Sequence, residues 1–381
     1  MIRTADRVKA VEEYYFSKKL REVKQLMAQG RPIINMGIGS PDLDPPQEVL
    51  NTLQNVLQMP GAHQYQSYQG LPELREAMAH FYQSKFGVAL NGLREVLPLI
   101  GSKEGIMHIS MAFLNPGDEV LIPDPGYPTY TAVTKLVGAR PITYGLTEKN
   151  HWWPDLKMLQ RTDLSQVRLM WISYPNMPTG ATITREKMEE LVQFARNNSI
   201  LLVNDNPYSF VLNQEPTSIL QVPGAKEVAL ELNSLSKTFN MAGWRVGMVL
   251  GSEEHINAVL KIKSNMDSGM FYGIQQGAVR ALESGKEWFA HLDDVYARRR
   301  DLMFQLVDKL DCAYDRHTAG MFVWAKLPPG SRSSEDFIDS VLYEKDIFIA
   351  PGTIFGKNGE GYIRFSLCVK EAGIKEAIGR F

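Results

Sequence analysis

Between residues 46 and 251 the chain alternates short apolar runs with stretches of helical periodicity, and that rhythm restricts the possible folds more than any other feature. Seven runs stand out, at 97–100, 119–122, 140–144, 169–173, 200–204, 228–232 and 248–250. Most are rich in Val, Ile and Leu, as strands covered on both faces must be. Between them, residues 185–197 place Met188, Leu191, Val192 and Ala195 at i, i+3, i+4 and i+7, and 102–113 reads similarly. The pattern predicts an α/β fold whose large domain is a mainly parallel seven-stranded sheet flanked by helices.

The flanks have a different texture. After Gly285 comes a long charged helical stretch, 286–310, and then short strands at 321–325 and 362–367, which predicts a smaller α+β domain. In the first thirty residues Val8, Val11, Tyr15, Val23 and Leu26 recur at roughly helical spacing among charged residues, so an amphipathic helix is expected to pack on something larger. Acidic residues interrupt its basic face and argue against a membrane-surface helix. The expected division is an N-terminal arm (1–45) that joins the small domain, a large domain (46–285) and the C-terminal part of the small domain (286–381).

Composition narrows the function classes. With 41 Lys+Arg against 43 Asp+Glu there is no basic excess to meet a nucleic acid backbone. Cys312 and Cys368 are far apart and form no C-x-x-C pair, so neither a disulfide framework nor a zinc site is indicated, and no metal is expected. No apolar run approaches the roughly 20 residues that span a bilayer, and the first thirty residues lack the apolar middle of a signal peptide. A cytoplasmic protein is expected.

In a parallel α/β sheet ligands bind beyond the carboxyl ends of the strands. Here those ends read Gly101-Ser102-Lys103, Asp124-Pro125-Gly126-Tyr127, Tyr174-Pro175-Asn176-Met177-Pro178-Thr179-Gly180, Asp205-Asn206-Pro207-Tyr208 and Ser234-Leu235-Ser236-Lys237. Singly, each has a structural explanation: Ser102 as a helix cap, Asp205 as a turn residue, Ser234 and Ser236 as loop residues, Lys237 as a surface lysine. Jointly they describe a site. A helix opening at Ser102, two serine hydroxyls, Lys237 and the guanidinium of Arg245 suit a phosphate dianion. Tyr127 offers a stacking face, Asp205 an acceptor for a protonated ring nitrogen, and Tyr208 a partner for a phenolic oxygen. A lysine among buried and cationic groups has a lowered pKa and becomes a Schiff-base nucleophile. A phosphorylated pyridine aldehyde meets all of these demands.

The segment Ser234-Leu235-Ser236-Lys237-Thr238-Phe239-Asn240-Met241-Ala242-Gly243-Trp244-Arg245-Val246-Gly247 resembles the lysine signature of the class I and II aminotransferases, in the pyridoxal phosphate fold type I superfamily. Tyr65 to Arg75, Gly101-Ser102-Lys103, Asp205 to Tyr208 and Gly361 to Ser366 match in the same order, so the resemblance spans nearly the whole chain. It implies pyridoxal 5′-phosphate held as a Schiff base on Lys237, with Asp205 at the pyridine nitrogen and Tyr208 at the phenolic oxygen. It further implies Ser102, Lys103, Ser234, Ser236 and Arg245 at the phosphate and Tyr127 in the stacking position. Tyr65 matches a tyrosine that reaches the phosphate from the neighbouring subunit, which implies a homodimer with shared sites. Arg364, helped by the backbone near Gly39, would clamp the substrate α-carboxylate.

One position departs from the family: the asparagine expected before Pro178 is Met177, with Asn176 adjacent as a possible substitute. The activity implied is transfer of an amino group between an amino acid and a 2-oxo acid. The rivals are a carbon–sulfur lyase of the same fold and, with less support, a non-catalytic binding module. The overall pattern looks closest to alanine, aspartate and LL-diaminopimelate type enzymes. Arg280, Arg298, Arg316 and Arg332 are candidates for gripping a distal carboxylate, with surface exposure as the alternative for each.

Overall fold

The computed structural model describes residues 2–11, 13 and 15–381. The arm contributes the helix Tyr15–Ala28 and the two-residue strand β1 (Ile34–Asn35). The large sheet follows as β2 (Val96–Leu99), β3 (Glu119–Asp124), β4 (Arg140–Gly145), β5 (Val167–Ile172), β6 (Leu201–Asp205), β7 (Ala229–Ser234) and β8 (Gly247–Leu250). Each of the seven expected runs is a strand. Their order across the sheet is β2-β8-β7-β6-β5-β3-β4, parallel except for β8, which runs against both neighbours. The connection from β7 to β8 is taken up by a one-turn helix, Leu235–Thr238, and a 3-10 turn, Ala242–Trp244. No crossover helix carries the chain to the far end of the sheet, so β8 enters from the edge at which β7 left.

Alternate strand residues feed opposite faces of this sheet. Leu121, Met170, Leu202 and Met248 join the apolar cluster that includes Leu74, Tyr82 and Phe194. Val120, Leu169, Val203 and Val249 join the one that includes Ile106, Ile109 and Tyr130. Helices therefore cover both faces, and the polar strand ends are left at one edge. Behind that edge the buried Glu231 accepts from Tyr82 Oη, Asn204 Nδ2, Asn206 Nδ2 and the Ile219 N–H, which ties β6 to β7 and to the segment beyond it.

The second unit contains the helix Lys286–Lys309 and four strands, β9 (Ala313–Tyr314), β10 (Phe322–Lys326), β12 (Ala350–Pro351) and β13 (Tyr362–Ser366), in the antiparallel order β12-β13-β10-β9. Strand β11 (Ile347–Phe348) pairs with β1 in parallel, and the Ser366 N–H donates to the Met36 carbonyl at 2.7 Å. Phe16, Val23, Ile33 and Met36 of the arm share one apolar cluster with Phe304, Phe322, Phe348 and Phe365. The arm thus packs with the C-terminal unit. Its helix is shorter than the spacing suggested: Val8 lies on a separate one-turn helix, Asp6–Lys9, and is 55% exposed. A single turn scarcely offsets the cost of helix nucleation, so periodicity over so few residues does not join it to the next helix.

Two sets of contacts fix the pieces around the site, one between the large sheet and the C-terminal unit and one between that unit and the arm. Asp124, at the end of β3, accepts from the Lys357 and Asn358 N–H groups, and the Gly126 N–H donates to the Phe355 carbonyl. From the other side, buried Arg299 grips Asp42 of the arm with both terminal nitrogens, at 2.6 and 2.9 Å.

Candidate active site

The strand ends of the large sheet and the inner face of the second unit enclose a cavity of about 480 Å³. Ser102, Lys103, Tyr127, Asp205, Tyr208, Ser234, Ser236, Lys237, Arg245, Gly39 and Arg364 all line it. Of the cofactor-binding and substrate-binding residues expected from sequence, Tyr65 is absent from this group. It is 90% exposed, and Leu57, Met59, Tyr68 and Met266 are exposed as well.

At one end the helix Ser102–Phe113 begins beside Arg245, with Gly101 at its N-cap in the left-handed region (φ 83°). A Cβ on Gly101 would lie 2.0 Å from Arg245 Nη2, so only glycine allows the guanidinium to sit against the first free N–H groups of the helix. Ser234 caps the one-turn helix through the Ser236 N–H, and its hydroxyl donates to Ser236 Oγ at 2.8 Å. Burial, with Arg245 adding to it, pushes the Lys103 ammonium below its ordinary pKa. A dianion placed here would relieve that strain and meet helix N–H groups, two hydroxyls and a guanidinium.

In the middle lie the ring-facing groups. Asp205 closes β6 and is 6% exposed; Tyr130 Oη donates to its Oδ2 at 2.8 Å, while its buried Oδ1 has no donor among the described residues. Burial raises this carboxyl from 3.8 to about 6, and the Tyr130 hydrogen bond partly offsets the rise. An orphaned carboxylate oxygen facing this cavity fits a protonated ring nitrogen, which would draw the pKa back down. Tyr130 stacks flat on Trp171, with centroids 4.9 Å apart, and meets Tyr127 edge to face. Sequence reasoning missed Tyr130, although its place three residues after Tyr127 in the first turn of Pro128–Leu136 puts both on one helix face. Tyr208 is buried with its ring edge-on to Phe322, and burial raises its phenol well above the ordinary value.

Lys237 Nζ reaches across to the unit contributed by the arm and donates to the Gly39 carbonyl at 2.6 Å. Burial lowers its pKa; Arg364 and Arg245 push the same way, against an opposing pull from Cys368. A lysine so placed gives up its proton more readily than one in water, which favours its role as a nucleophile. The Gly39 carbonyl positions the lysine by accepting from it, and the arm carbonyl that touches the arginine is that of Gly37.

At the far end Arg364 of β13 donates through Nη2 to the Gly37 carbonyl at 2.7 Å and through Nη1 to Met177 Sδ at 3.4 Å. Its guanidinium carbon lies 4.0 Å from the Phe322 ring centroid, 4.7 Å from that of Phe355 and 5.6 Å from that of Phe16. Asn176 does not stand in for the asparagine displaced by Met177. Its Oδ1 accepts from Thr179 Oγ1 and its Nδ2 donates to the Ser173 carbonyl, so both ends serve its own turn, and Met177 is the one that faces the cavity. The phenylalanines and Leu20 were also missed, since single apolar residues in a core carry no sequence mark of facing a ligand.

The four arginines considered for a distal carboxylate lie elsewhere. Arg280 pairs with Glu283, Arg298 with Asp294 and Glu371, Arg316 donates to Tyr314 Oη, and Arg332 is exposed. Outside the cavity, Glu104, His108 and Asp267 bring ligand-type atoms within 4.8 Å of one another, but Lys263 Nζ already donates to Asp267 and the Ile100 N–H to Glu104.

Comparison with known proteins agrees with this geometry. The family profile "Aminotransferase class I and II" matches residues 31–381. The LL-diaminopimelate aminotransferase of Natranaerobius thermophilus is 40% identical over 379 residues, covering 99% of this chain and 98% of the relative. The apo structure of BacF from Bacillus subtilis superposes with a TM-score of 0.96 at 35% identity, covering 100% and 98% of the two chains. A single mutant of Thermus thermophilus aspartate aminotransferase gives 0.93 at 26% identity, covering 100% and 99%. The chain belongs to the class I and II aminotransferases, enzymes that use pyridoxal 5′-phosphate to move an amino group between an amino acid and a 2-oxo acid.

Proposed function

We propose that Lys237 holds the cofactor covalently and carries the proton of the reaction, in a site whose binding groups come from 46–285 and whose closing groups come from 1–45 and 286–381. The observation that carries this reading is the conjunction of the half-buried lysine with lowered pKa and the orphaned Asp205 Oδ1 in one cavity. Ser102, Lys103, Ser234, Ser236 and Arg245 would hold the phosphate. Tyr127 would stack on the ring, and Tyr208 would face its phenolic oxygen. When bound, the cofactor supplies an electron sink for the charge that develops at the substrate Cα. Asp205 keeps the ring nitrogen protonated by accepting its hydrogen bond. Arg364 turns the substrate carboxylate so that the Cα–H faces Lys237 Nζ, which, once the substrate amine has displaced it from the cofactor, takes that proton as a general base. The name borne by the relatives makes LL-diaminopimelate one donor to try.

Two finer readings accompany this one. The exposed run of Leu57, Met59, Tyr65 and Tyr68, with Met266, supports a homodimer in which Tyr65 reaches the neighbouring phosphate site. The free cysteines Cys312 and Cys368 support a cytoplasmic setting. No helix among the described residues is long and apolar enough to cross a membrane.

The test is a half-reaction with the holoenzyme and a panel of amino acids. Transfer predicts one 2-oxo acid per cofactor converted to its amine form, and no ammonia. Ammonia with pyruvate from a cysteine-type substrate would point to elimination instead.

A further inference from the structure

Resting on the aminotransferase reading, we infer that the amino donor carries a bulky apolar side chain and only one carboxylate. The charged residues that line the cavity, among those described, are all engaged by the cofactor and the reacting amino acid head. Lys103 and Arg245 serve the phosphate, Asp205 the ring nitrogen, Lys237 the reacting centre and Arg364 the α-carboxylate. Against Arg364 stand Phe16, Phe322, Phe355 and Met177, and the uncharged remainder of the lining includes Leu20 and Ile38 beside the hydroxyls of Ser17, Tyr130 and Ser173.

Phe16 and Leu20 come from the helix Tyr15–Ala28 of the arm, which lines the cavity with these two apolar side chains and Ser17. Phe322 and Phe355 come from the C-terminal unit, so the apolar wall is shared by both segments that close the site. Within one subunit these groups offer no partner to a second carboxylate or a second amino acid head. An aromatic or branched aliphatic side chain would instead add buried apolar area. Arg280, Arg298, Arg316 and Arg332 do not line the cavity. Met177 agrees with this chemistry, because the position next to Arg364 bears a thioether.

The deciding experiment compares kcat/KM of the holoenzyme for L-phenylalanine and L-leucine with that for L-aspartate and LL-diaminopimelate. At least a tenfold preference for the apolar donors is expected, from the roughly 10–200-fold that a hydrophobic pocket can supply. Equal or faster reaction of aspartate or LL-diaminopimelate overturns the inference and leaves amino transfer standing; no reaction from any donor removes both. Equilibrium binding separates the two further, since calorimetry of the holoenzyme should show tighter binding of 3-phenylpropionate than of glutarate whether or not turnover occurs. Tighter glutarate binding overturns the inference. In Leu20→Ala the ratio of kcat/KM for phenylalanine to that for alanine should fall about tenfold. An equal fall for both donors would mean that Leu20 only supports the fold, and would remove it from the wall.

Discussion

The two ends of the cavity are built differently. The end around Ser102, Ser234, Ser236 and Arg245 comes from neighbouring strands of one sheet, and its groups are fixed by strand register and by helix N-termini. The end around Arg364 is assembled from separate pieces: the Gly37 carbonyl from the arm, Met177 from the loop after β5, and Phe322 and Phe355 from the C-terminal unit. The first end keeps its shape as long as the sheet is folded. The second exists only while the large sheet, the arm and the C-terminal unit are packed together, held by contacts such as Arg299–Asp42 between arm and C-terminal unit and the Asp124 bridge to the large sheet. Cofactor retention should therefore be insensitive to changes that cripple substrate binding.

The most severe test removes the group that bridges the ends. Lys237→Ala is expected to lower turnover by at least about 10³-fold, the upper range for losing a general base compounded with loss of the covalent anchor. The absorbance band of lysine-bound cofactor should vanish in the same variant, and full activity there would falsify the role of Lys237. Arg364→Ala comes next. Losing a charge-assisted contact to the carboxylate is worth about 2–4 kcal/mol, or roughly 30- to 1000-fold in kcat/KM. Because the phosphate end is independent, the cofactor spectrum and its dissociation constant should stay within about twofold of wild type. Loss of cofactor together with substrate affinity would show that the two ends are coupled.

Asp205→Asn probes the sheet end through stability. In the cofactor-free protein the carboxyl is raised from 3.8 to about 6, so between those values the folded state keeps a proton that the unfolded state has lost. Stability must therefore fall as pH rises through that window. Asparagine does not titrate, so the cofactor-free variant should match wild type near pH 4. It should exceed wild type by about 2–3 kcal/mol above pH 6, measured by chemical denaturation across pH. The same substitution should weaken cofactor binding and turnover. An unchanged pH dependence would mean that Asp205 is not desolvated in the free protein.

The difference between the ends also explains what sequence could reveal. All seven strands were legible because doubly covered strands must be apolar, and the polar residues just past them marked the edge where a ligand binds. Lys237, Arg245, Ser234 and Ser236 fall within one short segment, so local spacing already grouped them. The antiparallel sense of β8 was not legible, since it depends on whether the residues after Lys237 turn back at one edge. Phe16, Phe322 and Phe355 were invisible as site residues because they meet only after about 300 residues of intervening chain have folded, and their apolarity serves the core equally well. The fate of Asn176 depends on a turn closed by Thr179, which the residue types alone left open.

The smallest effect is expected at residue 177, which touches Arg364 through its thioether. In Met177→Asn the new amide oxygen would accept from Arg364 Nη1 in place of a thioether sulfur, a weak acceptor, and this should change KM by no more than about fivefold. The amide N–H group would at the same time offer a donor toward the phenolic oxygen of the bound ring. A hydrogen bond to the ionised form stabilises it, so the pH midpoint of the cofactor absorbance should move down by up to about one unit. Spectrophotometric titration of the holoenzyme reads this shift without substrate. A lower midpoint with little change in KM would show that residue 177 acts on the ring end even though its present contact is with the carboxylate end. A changed KM with a fixed midpoint would confine it to Arg364, and the boundary between the two ends would then run between residue 177 and Tyr208.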